Sequence, residues 1–190
     1  RRPRRRRGGK KVPPRRGGRR KDLFVPIQDI DQPERLSVTE RLRLRKYDGT
    51  HDFALSWYLD PETVWLVDGD HDLYTPELLD KMYAYQDAHG ELYFIEALEG
   101  GCWRPIGDVC LSVDDFAIVI GERSFRGKGV GRAAASALIR RARALGWSRV
   151  RVSDIYDFNA GSRQMFASLG FREEAKTEKG HSYILSLEKE

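Results

Sequence analysis

Three glycines at alternate positions, Gly127, Gly129 and Gly131, are interleaved with basic side chains at Arg126, Lys128 and Arg132. With no Cβ in the way, a ligand can approach the main-chain amides of such a segment closely. A helix-forming run from Gly127 to Leu145 opens within it. The first N–H groups of a helix lack intrahelical partners, and its dipole is positive there. Bare amides beside three cations suit a pyrophosphate. A solvated basic loop has the same composition, so the flanking elements decide.

One other phosphate motif fits these letters. Gly129-Val130-Gly131-Arg132-Ala133-Ala134 matches the dinucleotide pattern GxGxx(G/A), and the acidic Asp154 follows about twenty residues on, after a strand. In that motif the glycines follow the strand directly, whereas here Glu122-Arg123-Ser124-Phe125-Arg126 intervenes. That fold also needs further strand–helix units downstream, and only a short helix and a hairpin remain. The dinucleotide reading is rejected.

The elements around the loop follow from periodicity and punctuation. Glu40 to Tyr47 alternates apolar and charged residues, the pattern of a half-buried strand, and Asp48-Gly49 turns the chain. Residues 50–90 are helical, with one helix over Phe53–Tyr58 and a second from Thr75-Pro76-Glu77 to about His89-Gly90. A three-strand meander spans Glu91–Leu98, Arg104–Val113 and Phe116–Gly121. In the central helix Val130, Ala134, Ala137, Leu138, Ala142 and Leu145 share one face, and Gly146 stands where a left-handed cap belongs. A strand at Arg149–Ser153, a helix from Asn159 to Leu169 and strands near Phe171–Thr177 and Ser182–Leu187 complete a mixed α/β domain without internal repeat.

A second block, Asn159-Ala160-Gly161-Ser162-Arg163-Gln164-Met165-Phe166-Ala167-Ser168-Leu169-Gly170-Phe171, completes a pairing with the glycine loop. Together they resemble the GNAT superfamily of N-acetyltransferases, whose signature (Arg or Gln)-x-x-Gly-x-(Gly or Ala) is matched by Arg126 to Gly131. The family's second block has Asn, Ala or Ser three on, an aromatic seven on and a closing Gly-Phe. The resemblance covers about residues 36–188. It implies a largely antiparallel sheet splayed at a V-shaped slot, with flanking helices and acetyl-CoA as co-substrate without a metal.

By this resemblance the strand around Val119, Ile120 and Gly121 pairs with the pantetheine arm. The loop Arg126, Gly127, Lys128, Gly129, Val130, Gly131 and Arg132 holds the pyrophosphate, and Asn159 and Ser162 contact the arm, although helix capping alone would also explain Asn159. A neutral amine attacks the thioester, and a carboxylate reaching through one water can take the ammonium's proton. The family often places an acid on the strand before the signature. Asp115 is the nearest match, with Asp114 and Glu122 as alternatives and a plain polar turn as the rival explanation. Where many members have Tyr as proton donor this chain has Phe166, a core residue; Tyr156 or solvent then protonates the thiolate.

Of 34 basic and 29 acidic residues, 13 basic and no acidic ones lie in residues 1–21, which leaves 21 against 29, net −8, in 22–190. The 1–21 segment is expected to be a disordered Arg-rich tail ahead of a 22–190 domain. A nucleic-acid-binding protein led by this tail, with an acetyltransferase-like scaffold, is the rival function; nucleic acid would be held only through residues 1–21 and with strong salt dependence. The longest apolar runs, such as Phe116 to Ile120, are too short to cross a bilayer. Cys102 and Cys110 and the four histidines show no metal-ligand spacing, and the sparse thiols fit a reducing cytoplasm.

The resemblance implies a primary amine as acceptor, either a small cation or a protein amine. Residues 52–91 carry ten acids against the single base Lys81, interleaved with Trp57, Tyr58, Trp65, Tyr74, Tyr83 and Tyr85. Such a surface suits cations, and a solvated acidic face over an aromatic core explains it equally. A homodimer is left open.

Overall fold

The computed structural model describes residues 30–187; the expectations for residues 1–21 lie outside them. Among the described residues eight strands and five helices follow the expected order, with one strand and one helix added to it. Strands β1 (Arg35–Thr39), β2 (Leu42–Lys46), β3 (Gly90–Glu99), β4 (Cys102–Ser112) and β5 (Phe116–Val119) form one sheet in sequential order. Strands β6 (Arg149–Tyr156), β7 (Arg172–Lys176) and β8 (Gly180–Ser186) form a second, ordered β6-β8-β7. Every ladder is antiparallel. The two sheets meet where β5 approaches β6, and no ladder joins that pair.

Helices cover both faces of the first sheet. Helix α4 (Val130–Ala144) buries Val130, Ala134, Ala135, Ala137, Leu138, Ile139 and Ala142 in one core with Tyr93, Ile95, Val109 and Leu111. On the other face, α1 (Leu55–Tyr58) and α3 (Pro76–His89) supply Trp57, Tyr58, Leu79 and Tyr83 against Leu92, Phe94 and Cys110. Strand β3 therefore has no solvent face, which is why it runs through Leu92-Tyr93-Phe94-Ile95 without polar alternation. Glu91, at its start, is 1 % exposed and answered by Arg141 of α4, whose Nη2 donates at 2.6 Å. Helix α2 (Pro61–Asp68) lies between α1 and α3 in the chain, and α5 (Ala160–Ser168) follows β6.

Two local differences from the sequence reading have plain causes. Helix α4 starts at Val130 and not Gly127, because Gly127 (φ +68) and Gly129 (φ +79) are left-handed, a conformation no helix continues through. Strand β1 and helix α2 are additional, five and eight residues long. No helix among the described residues is long and apolar enough to cross a membrane, and none of their His, Cys, Asp and Glu side chains group to hold a metal. Cys102 is exposed and Cys110 buried, both as free thiols; burial pushes Cys110 up to about 12.

Candidate active site

The chain leaves β5, passes Gly121, makes a 3₁₀ turn over Arg123–Phe125 and enters α4 through left-handed Gly127 and Gly129. The first amide to bond back along α4 is that of Ala133, to the Gly129 carbonyl at 3.0 Å. The N–H groups of Val130, Gly131 and Arg132 thus have no intrahelical acceptor, and no side chain caps this helix. A Cβ built at Gly127 or Gly129 meets nothing within 4 Å, so the space over these amides is open. Lys128 and Arg132 are exposed and form no ion pair among the described residues. Open amides, a positive helix end and two free cations make an anion cradle.

Arg126 plays a different part from the one its place in the signature implies. Its Nε donates to the Ile120 carbonyl at 2.8 Å, and its Nη2 to Thr63 Oγ1 at 2.6 Å and the Gly121 carbonyl at 3.2 Å. Glu62 and Asp60 flank the same guanidinium. Asp60 also caps α2 and pairs with Arg123, which holds its carboxyl well below the usual range. The guanidinium straps α2 to the loop, which leaves the neighbouring amides with Lys128 and Arg132 for a phosphate.

Beside the cradle opens a crevice of about 770 Å³ between β5 and β6. Ser112 N–H donates to the Asp115 carbonyl at 2.9 Å, closing the β4–β5 hairpin on a bonded pair. Bonded pairs alternate along an antiparallel ladder, so Ala117 and Val119 spend their main-chain groups on Cys110 and Asp108. Phe116, Ile118 and Ile120 turn theirs to the open edge, and the Ile120 carbonyl is already held by Arg126. The edge available to an extended arm therefore centres on Ile118, one residue before the expected Val119.

Most of the residues singled out from the sequence converge on this crevice. Val119, Ile120, Arg126, Gly127, Gly129, Val130, Gly131, Arg132, Asn159, Ser162, Asp115 and Tyr156 all line it. Gly121 and Lys128 are absent from its wall. Gly121 is buried, and any Cβ there would fall inside the Trp57 ring, so this glycine serves packing. Asn159 caps α5, accepting from Ser162 N–H at 3.0 Å, and donates to the Leu66 carbonyl at 3.1 Å. Phe166 is 2 % exposed and packs edge-on to Phe116 and Phe171, as a core residue should. Asp115 Oδ1 accepts Ser153 N–H at 2.8 Å, stapling β5 to β6 across the gap between the sheets. Tyr156 donates to the Asp68 carbonyl at 2.9 Å, and burial raises its phenol.

The wall on the α1–α3 side holds Tyr58, Asp68 and Tyr74, all from the acidic, aromatic 52–91 segment, together with Met82 and Gln86, which no sequence pattern marks. Behind it lies Asp108 of β4, fully buried, its Oδ2 accepting from Tyr58 at 3.0 Å and Tyr83 at 2.9 Å. Desolvation lifts this carboxyl to about 6 despite both phenol donors. Because the folded pKa exceeds the unfolded value, its stabilising contribution is full below about pH 4 and is lost as pH rises through 6, roughly 2–3 kcal/mol in all. The melting temperature should therefore fall between pH 5 and 7.5, and Asp108→Asn should flatten that slope. Thermal melts across this window check it; an unchanged slope in the variant refutes the assignment.

The Acetyltransferase (GNAT) domain family model matches residues 41–172. Among solved structures, a GNAT-family acetyltransferase from Bacillus anthracis superposes with TM-score 0.63 at 15% identity, over 77% of this chain and 95% of that one. An acetyltransferase from Salmonella typhimurium that modifies the N-terminal serine of 50S ribosomal subunit protein L7/L12 gives 0.59 at 17% identity, over 82% and 100%. A putative acetyltransferase from Salmonella typhimurium, solved with its cofactor acetyl-CoA, gives 0.56 at 19%, over 80% and 96%. No curated protein matches the sequence. At these identities the structural likenesses establish the fold, and the family model spans most of the chain, glycine loop included. The chain belongs to the GNAT acetyltransferase family, enzymes that draw their acetyl group from acetyl-CoA.

Proposed function

We propose that the protein moves an acetyl group from acetyl-CoA to a primary amine by direct attack in a ternary complex. One observation carries this reading: the uncapped head of α4 opens onto a crevice between two strands that no ladder joins. The pyrophosphate takes the amides of Gly127 to Arg132 as its donors, with Lys128 and Arg132 adding charge. The arm lies along the free edge at Ile118, between Asn159 and Ser162 on one side and β5 on the other, with its thioester toward the Asp115 staple. The amine enters from the α1–α3 side. It is a small cationic amine or a protein amine, the latter in line with what the Salmonella typhimurium structure is described as modifying. The two free thiols support a reducing, cytoplasmic setting.

Tyr156 is the phenol on the crevice wall nearest the family's second block and is proposed as proton donor to the departing thiolate. Asp115 is proposed to act through the staple. Asp115→Asn removes the charge but keeps an oxygen for Ser153 N–H, whereas Asp115→Ala orphans that amide. Near wild-type turnover for Asn with a clear loss for Ala is expected. A loss of about 100-fold or more in Asn alone would make Asp115 the base instead.

The reading itself is tested by incubating the full chain with acetyl-CoA and a panel of primary amines and following thiol release. Amine-dependent thiol formation is expected. Release no faster than hydrolysis with every amine would count against it.

A further inference from the structure

The crevice also reaches the face of β5 that carries Ala117 and Val119, away from α4. Its wall includes Tyr58, Tyr74 and Met82, with Asp68 at the last position of α2. That is an unfavourable place for an anion, because the last helical carbonyls already carry partial negative charge. Asp68 is half-buried, and desolvation raises its carboxyl, with the like charge of Asp70 adding to the effect. Tyr74 donates to the carboxylate, and Tyr156 donates to the Asp68 main-chain carbonyl. Lys179 donates to the adjoining Gly69 carbonyl at 3.1 Å, and no ion pair reaches Asp68 among the described residues. Asp154 faces the same space from β6. Gln86 adds a second signal: its Oε1 is buried on this wall without a hydrogen-bond partner among the described residues.

A carboxylate without a cation, an orphaned amide oxygen and a rim of phenol rings describe a receptor for a group that is positively charged and donates several hydrogen bonds. Resting on the acetyltransferase reading above, we propose that Asp68 binds the acceptor's ammonium group and takes its proton, so that the acceptor is a cationic primary amine carried on a slim apolar arm. The rings of Tyr58 and Tyr74 line the arm's path and favour its charge, and Met82 packs against the methylenes. The Gln86 oxygen accepts an N–H. Asp68 removes one proton from R–NH₃⁺, directly or through one water, giving R–NH₂ and the neutral carboxylic acid. The nitrogen lone pair forms the new C–N bond at the acetyl carbon, and the C–S bond breaks with its electrons on sulfur. Tyr156 gives its hydroxyl proton to the thiolate and is restored by the nitrogen's surplus proton. The products are the amide and CoA thiol, and Asp68 returns its proton to water.

Asp68→Asn in the full chain, with acetyl-CoA and two probe amines, tests this. n-Butylamine is cationic at neutral pH and must lose a proton before attack; methoxyamine is largely uncharged there and need not. The variant should lose about 100-fold in kcat/KM with n-butylamine, and should stay close to wild type with methoxyamine. The wild-type rate with n-butylamine should level off above the carboxyl's titration, whereas the variant's should climb tenfold per pH unit toward the amine's own pKa of about 10. Acetyl-CoA affinity should be unchanged, and the melting temperature unchanged or higher, since a strained anion has been removed. Equal losses with both amines, no loss with n-butylamine, or a lowered melting temperature would overturn the proposal and leave the acetyltransferase reading standing. No thiol release from wild type with any amine would overturn both.

Discussion

Gly129→Val should weaken acetyl-CoA binding by about 100-fold or more while the protein stays folded. The residue sits at φ +79, and the space beyond its Cβ position holds no protein atom within 4 Å. A valine there meets two penalties. The left-handed conformation costs a branched side chain about 1–2 kcal/mol, and its methyl groups occupy the volume where phosphate oxygens would reach the amides of Val130 and Gly131. Losing two charge-assisted hydrogen bonds at about 1.5–3 kcal/mol each accounts for the factor. Titration of acetyl-CoA alongside a thermal melt separates the penalties. Wild-type affinity in a folded variant would mean the phosphates lie elsewhere.

The opposite result is expected eight residues earlier. Gly121→Val should destabilise the fold by about 3 kcal/mol or more, because its Cβ would overlap the Trp57 ring. Trp57 is 4 % exposed and anchored by an indole N–H donated to Glu122 at 3.1 Å, so it has little freedom to move aside. For a chain of this size that is a fall in melting temperature of roughly 6–12 °C. Whatever fraction remains folded should bind acetyl-CoA normally. A variant that melts like wild type but loses the cofactor would return Gly121 to the binding site.

These two glycines show what the sequence could and could not tell. Alternate spacing and a following helix marked Gly127 and Gly129 as places where the backbone is bared, and both proved left-handed and open. Gly121 carried the same letter and a similar family position, but its reason for being glycine lies in Trp57, sixty-four residues away, which no local pattern records. Local capping chemistry was equally legible. Thr75 accepts from Leu78 N–H at 3.2 Å at the head of α3, and Gly146 is left-handed after α4. Asp60-Pro61 carries the same cap-and-proline signal, yet the eight residues of α2 show little apolar periodicity to extend it. Strand β1 is as long as β2, but it sets Leu36 and Val38 against Ser37 and Thr39, a weaker contrast than the leucines and charges of β2.

Side chains that act across long separations stayed hidden. Asp108 is an ordinary strand letter between Gly107 and Val109, and becomes an elevated carboxyl only through its burial in the fold, against which the Tyr58 and Tyr83 hydroxyls offer partial relief. Asp68 looked like one of ten acids on a charged segment, whereas the fold turns it alone, with Tyr74, toward the crevice. The signature arginine has contacts that are hidden in the same way. Its partners Thr63 and the Ile120 carbonyl occupy the guanidinium that the motif offers to phosphate.

The grip of main-chain amides on a pyrophosphate is tested most directly by titrating the full chain with acetyl-CoA and, separately, with acetyl-pantetheine, which keeps the thioester arm and lacks the phosphates. Saturable binding of acetyl-CoA at one site per chain, at least about 100-fold tighter than acetyl-pantetheine, is the predicted result. Equal affinity for the two compounds, or no binding of acetyl-CoA, would contradict it.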